Sequence, residues 1–319
     1  MSHLATILND QGRFPEAEKL NRQVLEVARR AFGPQDKLVR MATTNFAINL
    51  AYEGKYSDAG KAFQEVLEID RRALGPDDPT VLGDLNNLAA CLLQQGRYAE
   101  AEKMYRDAVE VKRRVLGPEH PDTVMSLGSL ALVLTNEKRY DDAEKLYRET
   151  LEMKRRKLGA EHRSTLVTMG NLANMLSETG RYPEAEQLIR QTLEIERRTL
   201  GLEHSDTLAS LQVLGETLKN EKRYAEAEKV YTDTLQGQRR ALGVEHPDAA
   251  STAYDLACVL ALDGKRSDAL SNLQFAVEHA LPAEKRHSLE TDADLKSLHG
   301  DARFEALAAF SRQQAPMLH

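Results

Sequence analysis

Tryptophan is absent from the 319 residues, and aromatic side chains make up only 5%. Helices or strands packed here must therefore rely on Leu and Ala rather than on large rings. Long apolar runs are missing as well. No 18 consecutive apolar residues occur, and the opening Met1-Ser2-His3-Leu4-Ala5 has no basic segment leading into an apolar one. The chain is accordingly expected to be soluble and cytoplasmic. An excess of positive charge is lacking too: 43 Lys and Arg stand against 50 Asp and Glu, for a net charge of −7. Nonspecific nucleic-acid binding neutralises many phosphates with Lys and Arg, so no nucleic-acid partner is expected. Nor is there a Gly-rich phosphate loop, a Gly-x-Ser-x-Gly elbow or a His-Glu-x-x-His run. The reading is that the chain is not an enzyme, with no catalytic residues, no cofactor and no metal.

What is present is a clock of 42 residues. Gly33, Gly75, Gly117, Gly159, Gly201 and Gly243 keep it, and so do Phe14, Tyr56, Tyr98, Tyr140, Tyr182 and Tyr224, until Arg266 breaks the aromatic series. Three residues beyond each of these stands an alanine, from Ala17 and Ala59 to Ala269. Self-similarity at a fixed period signals a stack of supersecondary units rather than a globular core. Seven helical hairpins are expected over residues 1–281, approximately at 1–32, 36–74, 78–116, 120–158, 162–200, 204–242 and 246–281. The period is lost after Pro282, where Leu295, Leu298, Phe304 and Leu307 suggest short capping helices within 282–319.

Each copy reads as two antiparallel helices. In 120–158, helix A opens at Pro121-Asp122, with proline and an acid suited to a first turn. Leu127, Leu130, Ala131 and Leu134 then follow as one apolar stripe. Lys138-Arg139-Tyr140 reverses the chain, and helix B carries Ala143, Leu146, Tyr147 and Leu151 to the cations Arg155-Arg156. Small residues recur on helix A at Ala47, Ala89, Ala131, Ala173, Gly215 and Ala257, where neighbouring backbones must approach closely. The turn glycine of Gly12, Gly54, Gly96, Gly180 and Gly264 becomes Lys138 and Lys222 in two copies. If that site needs positive φ, each Lys costs about 1 kcal/mol relative to Gly. Cys91 and Cys258 lie about four copies apart, too far for a disulfide or a shared metal, and read as small buried hydrophobes.

Leu88-Ala89, Leu92, Gly96-Arg97-Tyr98, Glu100-Ala101-Glu102, Tyr105 and Ala108, followed by Leu116-Gly117-Pro118-Glu119-His120-Pro121, resemble the tetratricopeptide repeat in its 42-residue, kinesin-light-chain-like form. The first position of the usual pattern departs from it: Thr43, Leu85, Leu127, Met169, Leu211 or Ala253 replaces Trp. The resemblance implies an all-α, right-handed superhelical solenoid of antiparallel helix hairpins with a C-terminal helical cap. It also implies a noncatalytic scaffold that binds a peptide segment or partner protein in a concave groove. Two alternatives stand beside it: a peptide-responsive receptor controlling an associated signalling enzyme, and, more weakly, self-assembly through apolar surface near Leu4, Ile7 and Leu8.

Recurrent features are expected to serve the scaffold. His120, His162, His204 and His246 lie one repeat apart, too far to share a metal, and suit a linker or helix-capping role. Glu-Ala-Glu triplets such as Glu184-Ala185-Glu186 point to different helix faces and suit first-turn charge rather than paired catalysis. The Arg pairs from Arg29-Arg30 to Arg239-Arg240 suit a solvated ladder paired to glutamates, for example Glu68 with Arg71 or Arg72, with an edge that meets an acidic partner or a nucleic-acid backbone as the alternative. Ligand contacts are sought instead where copies differ. In the family's register the inward positions of helix A include Asn45, Asn87, Ser129, Asn171, Val213 and Asp255, with Asn136, Asn174, Glu178, Glu216, Lys219 and Asn220 nearby. Asn can donate to and accept from a peptide backbone. Since Lys219 is nearly alone among acids, a neutral or mildly basic peptide is the expected ligand.

Overall fold

The computed structural model describes residues 4, 5, 8, 13–33 and 35–314; Ile7 and Gly12 lie outside them. The described residues form helices and connecting turns without strands. They divide into two compact units, Met1–Lys157 and Leu158–His319.

In the first unit, α1 (Phe14–Ala31) is followed by the hairpins α2 (Lys37–Tyr52) with α3 (Tyr56–Leu74), α4 (Pro79–Gln94) with α5 (Tyr98–Val115), and α6 (Pro121–Asn136) with α7 (Tyr140–Leu158). Ahead of α1, helical Ala5 and Leu8 are buried against Ala17, while Leu4 is exposed. In the second unit the hairpins are α8 (Arg163–Glu178) with α9 (Tyr182–Thr199), α10 (Ser205–Asn220) with α11 (Tyr224–Ala241), and α12 (Pro247–Leu262) with α13 (Arg266–Glu278). A cap follows, made of α14 (Ala283–Ser288), a 3₁₀ turn (Ala293–Leu298) and α15 (Ala302–Gln314). Its Leu289, Leu295, Leu298 and Phe304 join the apolar core of α10 to α13.

The recurrent residues explain the hairpins. Every alanine at the start of helix B, from Ala17 to Ala269, is fully buried, as are Ala47, Ala89, Ala131, Ala173 and Ala257 opposite. Helix A starts on a side-chain cap: Asp36 and Asp78 accept from the amide two residues on, and His120, His162, His204 and His246 do the same through Nδ1. Helix B starts with an ion pair from the turn, as in Arg97–Glu100 and Arg181–Glu184. The last Glu of each triplet reaches the turn cation of the next copy, as in Glu18–Lys55, Glu102–Arg139, Glu186–Arg223 and Glu228–Lys265. Members of the Arg ladder form ion pairs as well. Glu68 meets Arg72 within its helix, but the commoner pattern joins copies, as in Arg114–Asp77, Arg198–Glu161 and Arg240–Glu203.

The tight turn confirms the glycine argument. Lys138 and Lys222 adopt φ of 60° and 64°, beside 72° at Gly96 and 78° at Gly180. At 138 the amides of Lys138 and Arg139 donate back to Thr135 and Leu134, closing the end of α6. Lys138→Gly should therefore stabilise the first unit by about 1 kcal/mol, since a side chain in the left-handed region is strained. Urea unfolding midpoints at unchanged m-value would register the gain.

Candidate functional site

In the second unit a cavity of about 630 Å³ opens on the helix-A side. Asn174 of α8 and Gln212, Val213, Glu216 and Lys219 of α10 form one wall. Ser251, Tyr254, Asp255 and Cys258 of α12 form another, and Lys285, Ser288, Asp292 and Asp294 of the cap close it. Buried Tyr231 of α11 supplies its floor and donates from its hydroxyl to Glu216 Oε2 at 3.2 Å.

The charges are arranged as linked pairs. Lys219 Nζ lies 3.1 Å from Glu216 and 2.9 Å from Asp294. Burial works against its charge, but Glu216 and Asp294 outweigh that and hold the ammonium above the usual lysine range. Lys285 pairs with Asp255 and donates to the Ser251 carbonyl. Burial raises the Asp255 carboxyl, and Lys285 opposes the rise. Asp292 has two tasks: Oδ1 caps the 3₁₀ turn at Asp294 N, and Oδ2 accepts from the Tyr254 hydroxyl at 2.7 Å. Four carboxylates thus face two ammonium groups.

Cys258, Asp292 and Asp294 bring ligand-type atoms within 4.8 Å of one another. Burial, then Asp292 and Asp255, push the Cys258 thiol well above its usual range, which disfavours the thiolate a metal would need. Asp294 meanwhile already holds an ammonium. Both cysteines are free and buried.

Of the residues singled out by sequence, Asn174, Val213, Glu216, Lys219 and Asp255 come together here. Glu178, at the end of α8, is exposed and accepts from Asn174 Nδ2 at 3.0 Å. Asn171 and Asn220 are half-buried outside this lining. Asn136 is exposed at the end of α6, where its amide turns back onto the Leu132 carbonyl. In the first unit, Asn45 lines a cavity of about 460 Å³ and Asn87 a separate, largely apolar one of about 290 Å³ with Ile48, Tyr52, Tyr56 and Phe63.

Sequence reading missed the cap's share of the second-unit cavity. Asp292 and Asp294 follow the loss of periodicity, and the Lys219–Asp294 contact spans 75 residues. A Lys285 and two acids in a segment without repeat constraints were the available signal. A second omission is the residue before each Arg pair. Asp70, Lys112, Lys154, Glu196 and Gln238 share one register and are all buried. Lys112 is bound there to Ser126 at 2.9 Å, and burial lowers its affinity for protons.

No helix among the described residues is long and apolar enough to cross a membrane. Curated proteins yield no significant match. Among solved structures, an array of nearly identical kinesin-light-chain TPR-like repeats from Podosopora anserina is similar over 66% of this chain and 98% of its own, with 23% identity and a TM-score of 0.54. BtubC (BKLC) from P. vanneervenii is similar over 70% and 90%, with 19% identity and a TM-score of 0.58. A Rap protein complexed with competence and sporulation factor is similar over 98% and 95%, with 14% identity and a TM-score of 0.66. The tetratricopeptide repeat profile itself matches in six overlapping stretches, 1–72, 38–114, 80–156, 125–198, 164–219 and 206–280. Matches tiled across almost all the hairpins, on helices closed by the same Gly, Tyr and Ala, make the chain a member of the tetratricopeptide repeat family, of the kinesin-light-chain-like type.

Proposed function

We propose that the chain is a noncatalytic interaction module that takes an extended peptide segment of a partner protein along its helix-A side, with the second-unit cavity as its selective pocket. The observation that carries this reading is the cavity's lining. Positions 45, 87, 213 and 255 share one register and all line cavities; asparagine stands at the first two, and valine and aspartate replace it at the second-unit cavity. A scaffold requirement would repeat. Four carboxylates against two ammonium groups favour a neutral or mildly basic peptide and disfavour nucleic acid. Asn174, with Asn87 and Asn171 elsewhere on helix A, suits bonding to a peptide main chain.

A second reading, a peptide-responsive receptor, is favoured by one feature. The pocket wall includes Lys285, Asp292 and Asp294, so an occupant would touch the cap as well as the repeats. The Rap protein bound to competence and sporulation factor shares this fold.

Titration of the full chain with a peptide library, read by anisotropy, tests both. Lysine-bearing or uncharged peptides should bind better than glutamate-bearing ones. Asn174→Ala should weaken the selected peptide about fivefold, the worth of one hydrogen bond, without changing helix content. A preference for acidic peptides, or unchanged affinity in that variant, would refute the assignment. Slower amide exchange in the cap on binding would favour the receptor over the passive scaffold.

A further inference from the structure

The first unit holds two charges, half-buried Arg40 and buried Asp84, whose registers are uncharged in the other copies. Arg40 of α2 pairs with Asp70 of α3, and Asp84 of α4 stands beside them. At the register of Arg40 the other copies carry Leu82, Val124, Leu166, Leu208 and Ala250. At that of Asp84 they carry Ala42, Ser126, Thr168, Ser210 and Thr252. The hairpin therefore needs neither charge, and their joint appearance at one place calls for another cause.

Asp84 is only 4% exposed, and its Oδ2, like Arg40 Nε beside it, has no hydrogen-bond partner. Arg40 is committed to Asp70, so one guanidinium serves two buried carboxylates. Burial lifts the Asp84 carboxyl to about 6, and Arg40 only partly opposes this. Leaving a buried carboxylate oxygen unpaired is costly unless something is meant to meet it. Asp84 lines the cavity of about 460 Å³ together with the apolar Met41 and Leu74, and the acids Asp70, Asp78 and Asp84 there outnumber the cations Lys37 and Arg40.

We infer that this cavity is a binding site for a primary ammonium group on an alkyl stem, the lysine side chain of a partner peptide, with Asp84 as its counterion. Met41 and Leu74 give the methylene stem apolar surface while the charged head goes inward. With Asp70 facing Arg40, the one oxygen that Asp84 leaves unpaired suits a point-charge ammonium better than a two-pronged guanidinium. The cavity volume exceeds what an inorganic cation needs. The site lies wholly in the first unit and does not depend on the second-unit pocket.

The test is calorimetric titration of the full chain at neutral pH and matched ionic strength with three probes. Nα-acetyl-lysinamide carries the side-chain ammonium, alaninamide an α-ammonium, and Nα-acetyl-norleucinamide an uncharged stem. The lysine probe should bind at least about tenfold more tightly than the norleucine probe. Asp84→Asn should lose that margin. Asp84→Ser places at 84 the residue type of two other copies, so it should fold while losing the margin too. Binding of alaninamide in place of the lysine probe would overturn the assignment to a lysine side chain. Equal binding by norleucinamide, undiminished binding in folded Asp84→Asn or Asp84→Ser, or no amine binding up to about 0.1 M would overturn it.

Discussion

Gly215→Leu is expected to destabilise the second unit by about 3 kcal/mol or more, and Gly215→Ala by about 1–2 kcal/mol net. The reason is the ring of Tyr231. A Cβ placed on Gly215 would lie 2.7 Å from its Cζ and 2.8 Å from one Cε, inside any tolerated contact. Other copies combine alanine at this register with tyrosine, as Ala89 with Tyr105 and Ala131 with Tyr147. Their tyrosines are held differently: Tyr105 donates to the Asn86 carbonyl, while Tyr231 donates to Glu216 in the cavity. Glycine at 215 gives the ring the room it occupies as the pocket floor. The alanine variant should therefore lose stability and the Tyr231–Glu216 contact together. Gly170, also helical, has nothing within 4 Å of its notional Cβ. Gly170→Ala should gain about 0.5–1 kcal/mol from helix propensity and serves as the matched control. Thermal unfolding of both variants decides it. A Gly215→Ala protein as stable as Gly170→Ala would show that the ring is free to move.

The contrast at Gly215 shows which features the chain spells out locally. The requirement for a small residue there was legible, because Ala47, Ala89 and their counterparts repeat it every 42 residues. That this copy needs glycine was not legible, because the reason is a ring rotated toward a cavity whose far wall is the cap. The hairpins, turns and helix caps were legible for the same reason as the alanines: each is satisfied within one copy or between neighbours, so the residues recur. Asn174, Glu216 and Lys219 could be placed near a pocket from register alone. Asp292 and Asp294 could not, since helices without a period leave their facing partners open. The buried residue before each Arg pair was hidden by its own variation. Asp70, Lys112, Lys154, Glu196 and Gln238 read as surface charge and polarity, although each follows an apolar stripe residue by three, as Glu196 follows Leu193.

Glu196 carries the other large expected effect. It is 2% exposed on α9, its Oε2 has no hydrogen-bond partner, and burial is the chief cause that lifts its carboxyl to about 7. Ser210 opposes that rise, and Asp206 adds to it. In the unfolded chain the same group ionises near 4.5. A carboxyl raised in the folded state leaves stability intact below the unfolded value and removes it as pH climbs toward the folded one. The penalty thus grows between pH 4.5 and about 7 and levels off above, reaching about 3 kcal/mol at 1.36 kcal/mol for each of roughly 2.5 pH units. Glutamine fits this register, since Gln238 occupies it, buried, in the next copy. Glu196→Gln should therefore be close to neutral at pH 4.5 and stabilising by up to about 3 kcal/mol at pH 8. The measurement is the difference in denaturant unfolding free energy between variant and wild type across that range. A flat difference curve would mean that Glu196 finds a cation or water when ionised, and would remove burial as the controlling cause. A curve that rises with pH and saturates near neutrality would establish that one carboxylate limits the stability of the second unit.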